Sequence, residues 1–553
     1  MQRPKTCSAV QSVVFLVGLF LDSRAASPDT YPRQPAVNVL HYAFSIGLTD
    51  ATDEIDGEAT VDLRFGRDGA TVFELDLANA TPERQGRGMI VSEVARGAEP
   101  LGFVHTADRL RVSLAAPSRA GERVSFTVRY HGTPAAGLVI GKNKHGERTF
   151  FSDDWPDKAR HWLSTIDHPY DKATCEFRVT APAHYQVISN GLRIEETDLP
   201  GERRLTHWKQ SVPISTWLYV LGVSPFAVQH VGEHEGRPVE TWVFPQDRAA
   251  GFYDFAEPTL SVLDFFSRKV GPYSYEKLAN VQANGVRGGM ESATAIFYGD
   301  DSVTGKRSTR WRNVVIHEIA HQWFGNAVTE ADWDDVWLSE GFATYFALLF
   351  IEHAYGREAF LEGLAGSRDA VREFEKKRPG YRIVHDNLSD MAQVTTRQTY
   401  DKGGLTLHML RGFLGDEVFW RGIREYYARY RDRNATTDDF RQVMEEASGL
   451  ELRWFFDQWL RRGGLPTLEG TWRYDPTARF VDVELHQLQP GEPFRLPIDL
   501  AVLSEGQGEP ALTRIELAQR SQAFRLPLDK APRDVRLDPQ QWLLTDAVRF
   551  AKR

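Results

Sequence analysis

His317-Glu318-Ile-Ala-His321-Gln-Trp-Phe-Gly-Asn326 lies past the middle of this 553-residue chain. Nineteen positions beyond His321, inside Trp337-Leu-Ser-Glu340-Gly-Phe-Ala-Thr-Tyr-Phe346, stands Glu340. An α-helix turns about 100° per residue, so histidines four apart share one face and can converge on one ion. Glu318 points off that axis, where it can reach a water near the ion rather than the ion itself. Two neutral imidazoles and a carboxylate suit one Zn²⁺ per chain, with a fourth position open. Zinc lowers the pKa of water from about 16 to about 7, and a neighbouring carboxylate can take the proton as that water attacks a carbonyl.

The surrounding pattern supports a helix. Trp311, Val314, Val315, Ile319 and Trp323 recur at three and four, which marks one apolar face, and Gly325-Asn326 reads as its stop. A second apolar helix is expected from Glu340 through Phe346, Leu349 and Phe350, folding the third ligand back. Thr437-Asp438-Asp439 reads as the cap of a further helix running through Met444. Residues 246–462 are thus expected to form a mostly helical catalytic domain.

Outside that block the period is two. Tyr42, Phe44, Ile46 and Leu48 alternate with small or polar residues. So do Ala59, Val61, Leu63 and Phe65, then Phe73, Leu75 and Leu77, then Val124, Phe126, Val128 and Tyr130. This predicts an N-terminal antiparallel β domain over 26–245. After Gly463-Gly464 alternation returns in Leu468, Gly470, Trp472 and Tyr474 and in Val481, Val483 and Leu485. A small β-sandwich over 463–553 is expected, so the class is multidomain α+β.

Composition narrows the function. Hydrophobic residues make up 42% and charged residues 26%, as in a globular protein. The net charge of -10 gives no basic surface for nucleic acid. Arg3 and Lys5 precede the apolar run Val13–Leu21 and then Ser-Arg-Ala-Ala-Ser. This reads as a signal peptide over 1–25, cleaved after Ala25 or Ala26, with export to a periplasmic or extracellular space. Nine residues are too few to cross a bilayer, so no transmembrane segment is expected in the mature chain. Cys7 would leave with the leader, and Cys175 alone forms no internal disulfide.

With these residues in hand, the chain resembles the aminopeptidase N family of zinc exopeptidases, gluzincins that also include leukotriene hydrolases. The zinc stretch matches the family's motif almost letter for letter. Gly288-Gly289-Met290-Glu291-Ser292 is similar to its Gly-x-Met-Glu-Asn segment, and Thr399-Tyr400-Asp401-Lys402-Gly403-Gly404 to its Tyr-x-Lys-Gly segment. Ala159-Arg160-His161-Trp162, Asp167-His168-Pro169, Asp171-Lys172-Ala173-Thr174 and Ser189-Asn190-Gly191 resemble the signature of its β domain.

The resemblance implies a thermolysin-like catalytic domain. In it His317, His321 and Glu340 hold zinc and Glu318 activates water. Glu291 binds the substrate's α-ammonium, Tyr400 donates to the oxyanion, and Gly288, Gly289, Met290 and Ser292 complete the substrate strand. Ser292 departs from the family's asparagine and has a shorter reach. A second amine-binding residue is expected near Asp153, Asp154 or Asp157. The large helical C-terminal domain of many members is not expected after the small β-sandwich, which implies a more open cleft. The implied substrates are peptides with a free amino terminus. Two other readings remain open at this point: an endopeptidase indifferent to that terminus, and a scaffold that binds without turnover.

Overall fold

The computed structural model describes residues 29–384, 388, 390–504 and 509–553. The leader expected over 1–25 lies outside these residues.

Period-two alternation becomes a large sheet. In Ile55–Phe65 every odd-numbered residue from Ile55 is buried, with Ala59, Val61 and Leu63 wholly so. That strand pairs antiparallel with Val37–Gly47 on one side and Arg123–Thr133 on the other. The sheet has eight strands, ending at Leu192–Leu199 on one edge and at Glu99–Pro100 on the other. One joint departs from the antiparallel expectation: Val37–Gly47 runs parallel to Ala173–Pro182, with Tyr42 opposite Cys175. Alternating burial fixes which face is apolar but not the direction of a partner separated by more than a hundred residues. A second sheet of four strands contains Arg148–Ser152 and Leu138–Lys142. It carries the chain toward the catalytic half.

A five-stranded mixed sheet spans the two halves. Ala227–His234 and Arg237–Val243 precede residue 245, while Leu278–Ala283, Gly289–Met290 and Ala295–Gly299 follow it. The last three interrupt a region that helical periodicity describes as mostly helix. Leu278–Ala283 is buried throughout, and such a run carries no alternation by which to recognise a strand.

Five helices then build the site. Helix α1 (Arg248–Lys269) departs from helical geometry at Glu257 and Pro258, as an interior proline requires. Helix α2 (Thr309–His321) carries both histidines. Helix α3 (Trp337–Tyr355) is buried nearly all round, with Phe342, Tyr345, Phe346, Leu349 and Phe350 in the core. Helix α4 (Arg357–Lys377) covers one flank, and helix α5 (Gly403–Leu414) packs against α3.

Two helix-end expectations shift. The second ligand His321 is the last residue of α2, and the chain tightens at once through Trp323 N–H to Ala320 O at 3.1 Å. Trp323 is therefore not on the helix face; it lies past the end, wholly buried against Phe266 and Tyr273. The later cap is Thr436, not Thr437. Its hydroxyl accepts from Asp439 N–H at 3.1 Å, and Asp439 in turn accepts from Thr436 N–H at 2.8 Å.

Beyond residue 466 two sheets face each other. One contains Thr467–Asp475, Phe480–Gln487, Ser521–Pro527 and Ala547–Lys552. The other contains Leu496–Ser504, Ala511–Leu517 and Pro532–Leu537. This sandwich packs onto the helical part through Trp542, whose ring lies 4.6 Å from that of His408 on α5. Among the described residues no helical domain follows it.

Candidate metal centre

One helical turn sets the first two ligands. His317 Nε2 and His321 Nε2 lie 3.0 Å apart on α2. Glu340 comes from the first turn of α3, its Oε2 3.2 Å from His321 Nε2 and 3.5 Å from His317 Nε2. A tetrahedral zinc with bonds of about 2.05 Å separates its ligand atoms by roughly 3.3 Å, so the three observed edges fit such an ion. Glu340 Oε2 is buried and accepts no hydrogen bond, which is the condition of a ligand atom reserved for a cation.

Neighbouring residues orient the triad. His321 Nδ1 lies 3.2 Å from Phe324 O and 3.0 Å from Ser339 Oγ. A carbonyl oxygen can only accept, so Nδ1 bears the proton and Nε2 presents its lone pair. Ser339, one residue before the third ligand, thereby ties α3 to the end of α2.

The charge pattern also asks for a cation. Glu291, Glu318 and Glu340 are all buried within a few ångströms of His321. Burial opposes charge on Glu340, yet the two imidazoles hold its carboxyl down to about 2. Burial likewise opposes charge on His321, but the Glu291 and Glu340 carboxylates outweigh it and push the imidazole up to about 10. A divalent ion among these groups meets the same demand with two charges instead of one. Burial, and then the neighbouring Glu291, push the Glu318 carboxyl well above its usual range.

The strand Gly289–Met290 passes directly over Glu318. A Cβ on Gly289 would overlap the Glu318 carboxylate, so glycine is what lets the strand lie there. The strand pairs with Phe297 and Tyr298 and delivers Glu291 beside the triad, with Oε1 3.9 Å from His321 Nδ1. That oxygen is buried and unpartnered. Burial pushes the Glu291 carboxyl up to about 7; His321 pulls it back, while Glu340 and Asp153 add to the rise. The Glu291 carbonyl accepts from Gln322 Nε2 at 3.0 Å and from Asn326 Nδ2 at 2.7 Å. Gln322 Oε1 in turn accepts from Thr294 N–H at 3.2 Å. Gln322 and Asn326 belong to the opening stretch, and they staple the Glu291 loop to the end of α2.

Tyr400 approaches from the far side. It sits in a single wide helical turn, Gln398–Lys402, just before α5, and its ring stacks on His317 with centroids 6.0 Å apart. Such wide turns recur at functional sites because the extra residue re-aims side chains. The approach is possible because a Cβ on Gly341 would lie 2.9 Å from Gly403 backbone atoms, so α3 and the start of α5, directly after this turn, cross backbone to backbone. Burial, and next the Glu340 carboxylate, hold the Tyr400 phenol well above its ordinary range, so it stays a donor.

The structure thus brings together His317, Glu318, His321, Glu340, Glu291 and Tyr400. Met290 and Ser292 are buried beside Glu291, and Gly288 is partly open. The three aspartates of the β domain separate. Asp153 reaches Glu291 electrostatically and pairs with Lys158 at 2.8 Å. Asp154 is buried and accepts from Trp162 Nε1 at 2.8 Å. Asp157 pairs with Arg160 at 3.4 Å. Sequence reading gave no role to Ser339 or Gln322 and took Asn326 only as part of a helix stop, although polar residues inside a buried apolar run were a usable signal.

Comparison with known proteins agrees with this arrangement. Residues 39–218 match the Peptidase M1 N-terminal domain, and residues 256–459 match the Peptidase family M1 domain. Glutamyl aminopeptidase of Sus scrofa is 31% identical over 334 residues, which cover 57% of this chain and 35% of that one. Probable aminopeptidase 2 of Sulfurisphaera tokodaii is 29% identical over 328 residues, covering 56% of this chain and 41% of the relative. The match to the Sus scrofa protein takes in about a third of that relative's length. The crystal structure of an M1 zinc metallopeptidase from Deinococcus radiodurans superposes with a TM-score of 0.67 at 26% identity, covering 80% of this chain and 97% of that one. A chain that carries both domains in this order, with three metal ligands drawn together between α2 and α3, belongs to peptidase family M1.

Proposed function

We propose that this chain is a zinc aminopeptidase that removes the first residue from peptides with a free amino terminus. The observation that carries the reading is the buried Glu291 carboxylate beside the ligand triad, whose Oε1 has no hydrogen-bond partner. A substrate's α-ammonium lies one residue from the scissile bond, so a fixed carboxylate at that distance sets the cleavage frame. A charge-assisted bond of this kind is worth ~1.5–3 kcal/mol, roughly ten- to a hundredfold in selection for free ends.

His317, His321 and Glu340 would hold the zinc, which would supply Lewis-acid activation of water and of the scissile carbonyl. Glu318, a buried carboxyl with raised proton affinity, accepts the proton of the attacking water and returns it to the leaving amine. Tyr400 donates its phenolic hydrogen to the oxygen that gains negative charge. Asn326 and Gln322 keep the Glu291 backbone in place during these steps. The names of relatives such as glutamyl aminopeptidase support an aminopeptidase of this class.

The test is hydrolysis of amino-acid anilides with free and acetylated amines. Cleavage of the free series alone, abolished by a chelator and restored by zinc, is the expected result. Equal cleavage of both series would overturn the reading. We also propose export, supported by the basic, apolar and small-residue run of residues 3–26. An amino terminus at Ala26 or Ser27 on the exported protein is the expected mass-spectrometric result, and an intact Met1 would contradict it.

A further inference from the structure

Lys172 enters the catalytic half from the neighbouring β domain. It stands immediately before the strand Ala173–Pro182. Its Nζ donates to the carbonyl oxygens of Asn326 at 2.9 Å, Ala327 at 3.0 Å and Arg433 at 3.3 Å. Three carbonyl acceptors match the three N–H bonds of an ammonium group. The carbonyls belong to two segments, the turn after α2 and the strand Arg433–Ala435, which pairs in parallel with Val328–Glu330.

Other bonds cross the same seam. Asn434 Nδ2 donates to Pro169 O at 2.7 Å and to Glu330 O at 3.1 Å. Arg33 donates to Ala331 O at 3.1 Å and to Asp332 at 2.7 Å. These bonds hold the seam, but within the set Lys172 alone grips Asn326. Asn326 is engaged at both ends. Its carbonyl takes the Lys172 ammonium, and its Nδ2 reaches the Glu291 carbonyl at 2.7 Å. One residue therefore links a cation of the β domain to the backbone of the acid that faces the substrate amine.

We propose that Lys172 is a positioning residue for amine recognition: by fixing Asn326 it sets where Glu291 stands relative to the metal ligands. The inference rests on the aminopeptidase reading above. A brace with no such role would loosen all substrate groups together, whereas this geometry makes the effect selective for the α-amine.

The experiment compares the full-length, zinc-loaded chain with its Lys172→Met variant. Calorimetry measures binding of leucine hydroxamic acid and of 4-methylpentanehydroxamic acid, the same molecule without its amine. The wild type is expected to favour the amine-bearing ligand. Lys172→Met is expected to lose about tenfold of that preference, with affinity for the des-amino ligand and zinc stoichiometry unchanged. A preference retained in the variant overturns the proposal and leaves the aminopeptidase reading standing; equal loss for both ligands also overturns it. A wild type without preference sinks the aminopeptidase reading itself. If Lys172→Met does not fold, Asn326→Ala decides on the same two ligands: a selective fall supports the chain of contacts, and an unchanged preference overturns it.

Discussion

The two halves of the site are built in different ways. His317 and His321 are one helical turn apart, and Glu340 follows on the next helix, so the metal half is set by local geometry and one helix–helix contact. The amine half has no such economy. Glu291 directly follows the two-residue strand Gly289–Met290, and its place depends on Gln322 and Asn326, and through Asn326 on Lys172 of another domain. The difference teaches that, on the proposed roles, chemistry and selectivity in this molecule have separate supports. The first should tolerate loosening at the domain seam; the second should not.

The strongest way to break the comparison is to remove the proposed proton acceptor. Glu318→Gln keeps all three ligands, so zinc content should hold while kcat falls by about 10²–10⁴, the usual contribution of general base catalysis. Steady-state rates beside metal analysis check this. Tyr400→Phe removes one oxyanion donor, worth ~3–4 kcal/mol, so kcat should fall by about 10²–10³ with KM little changed. A rise in KM with unchanged kcat would instead mark Tyr400 as a ground-state binding group.

Glu291→Gln acts on the other half. The ratio of kcat/KM for free over acetylated substrates should fall by roughly ten- to a hundredfold, with zinc retained. Loss of zinc in this variant would merge the two halves and remove the distinction.

The smallest expected effect lies at the seam. Asp171, next to Lys172, is buried with one unpartnered carboxylate oxygen, and burial pushes its carboxyl up to about 7. A folded pKa above the unfolded value means the folded state prefers the protonated acid. Stability is then greatest below about 4 and falls as pH rises to about 7, where the cost is complete. Asp171→Asn removes that cost, so its advantage over wild type should be near zero at pH 4 and reach about 1–3 kcal/mol at pH 8. Thermal melts across this range check the sign, and an advantage that shrinks with rising pH would contradict it.

Much of this was readable in the chain. The spacing of His317, Glu318 and His321 fixes their relation because a helix has one pitch, and alternation in Ile55–Phe65 fixes its buried face because a strand has one period. Strand Leu278–Ala283 was not readable, because a segment buried on both faces shows no period. The end of α2 was misplaced by a few residues, because Trp323 continues the apolar repeat after the helix has stopped.

By itself the sequence determined the ligand set, the candidate for proton acceptor and the α+β class, all of which follow from local periodicity and side-chain chemistry. Only the tertiary structure decided that Glu291 faces the triad, that Tyr400 reaches it across the Gly341–Gly403 crossing, and that Lys172 holds Asn326. The reason is physical: these relations join residues tens to hundreds of positions apart, and no local period encodes a distance between segments that meet only when the chain has packed.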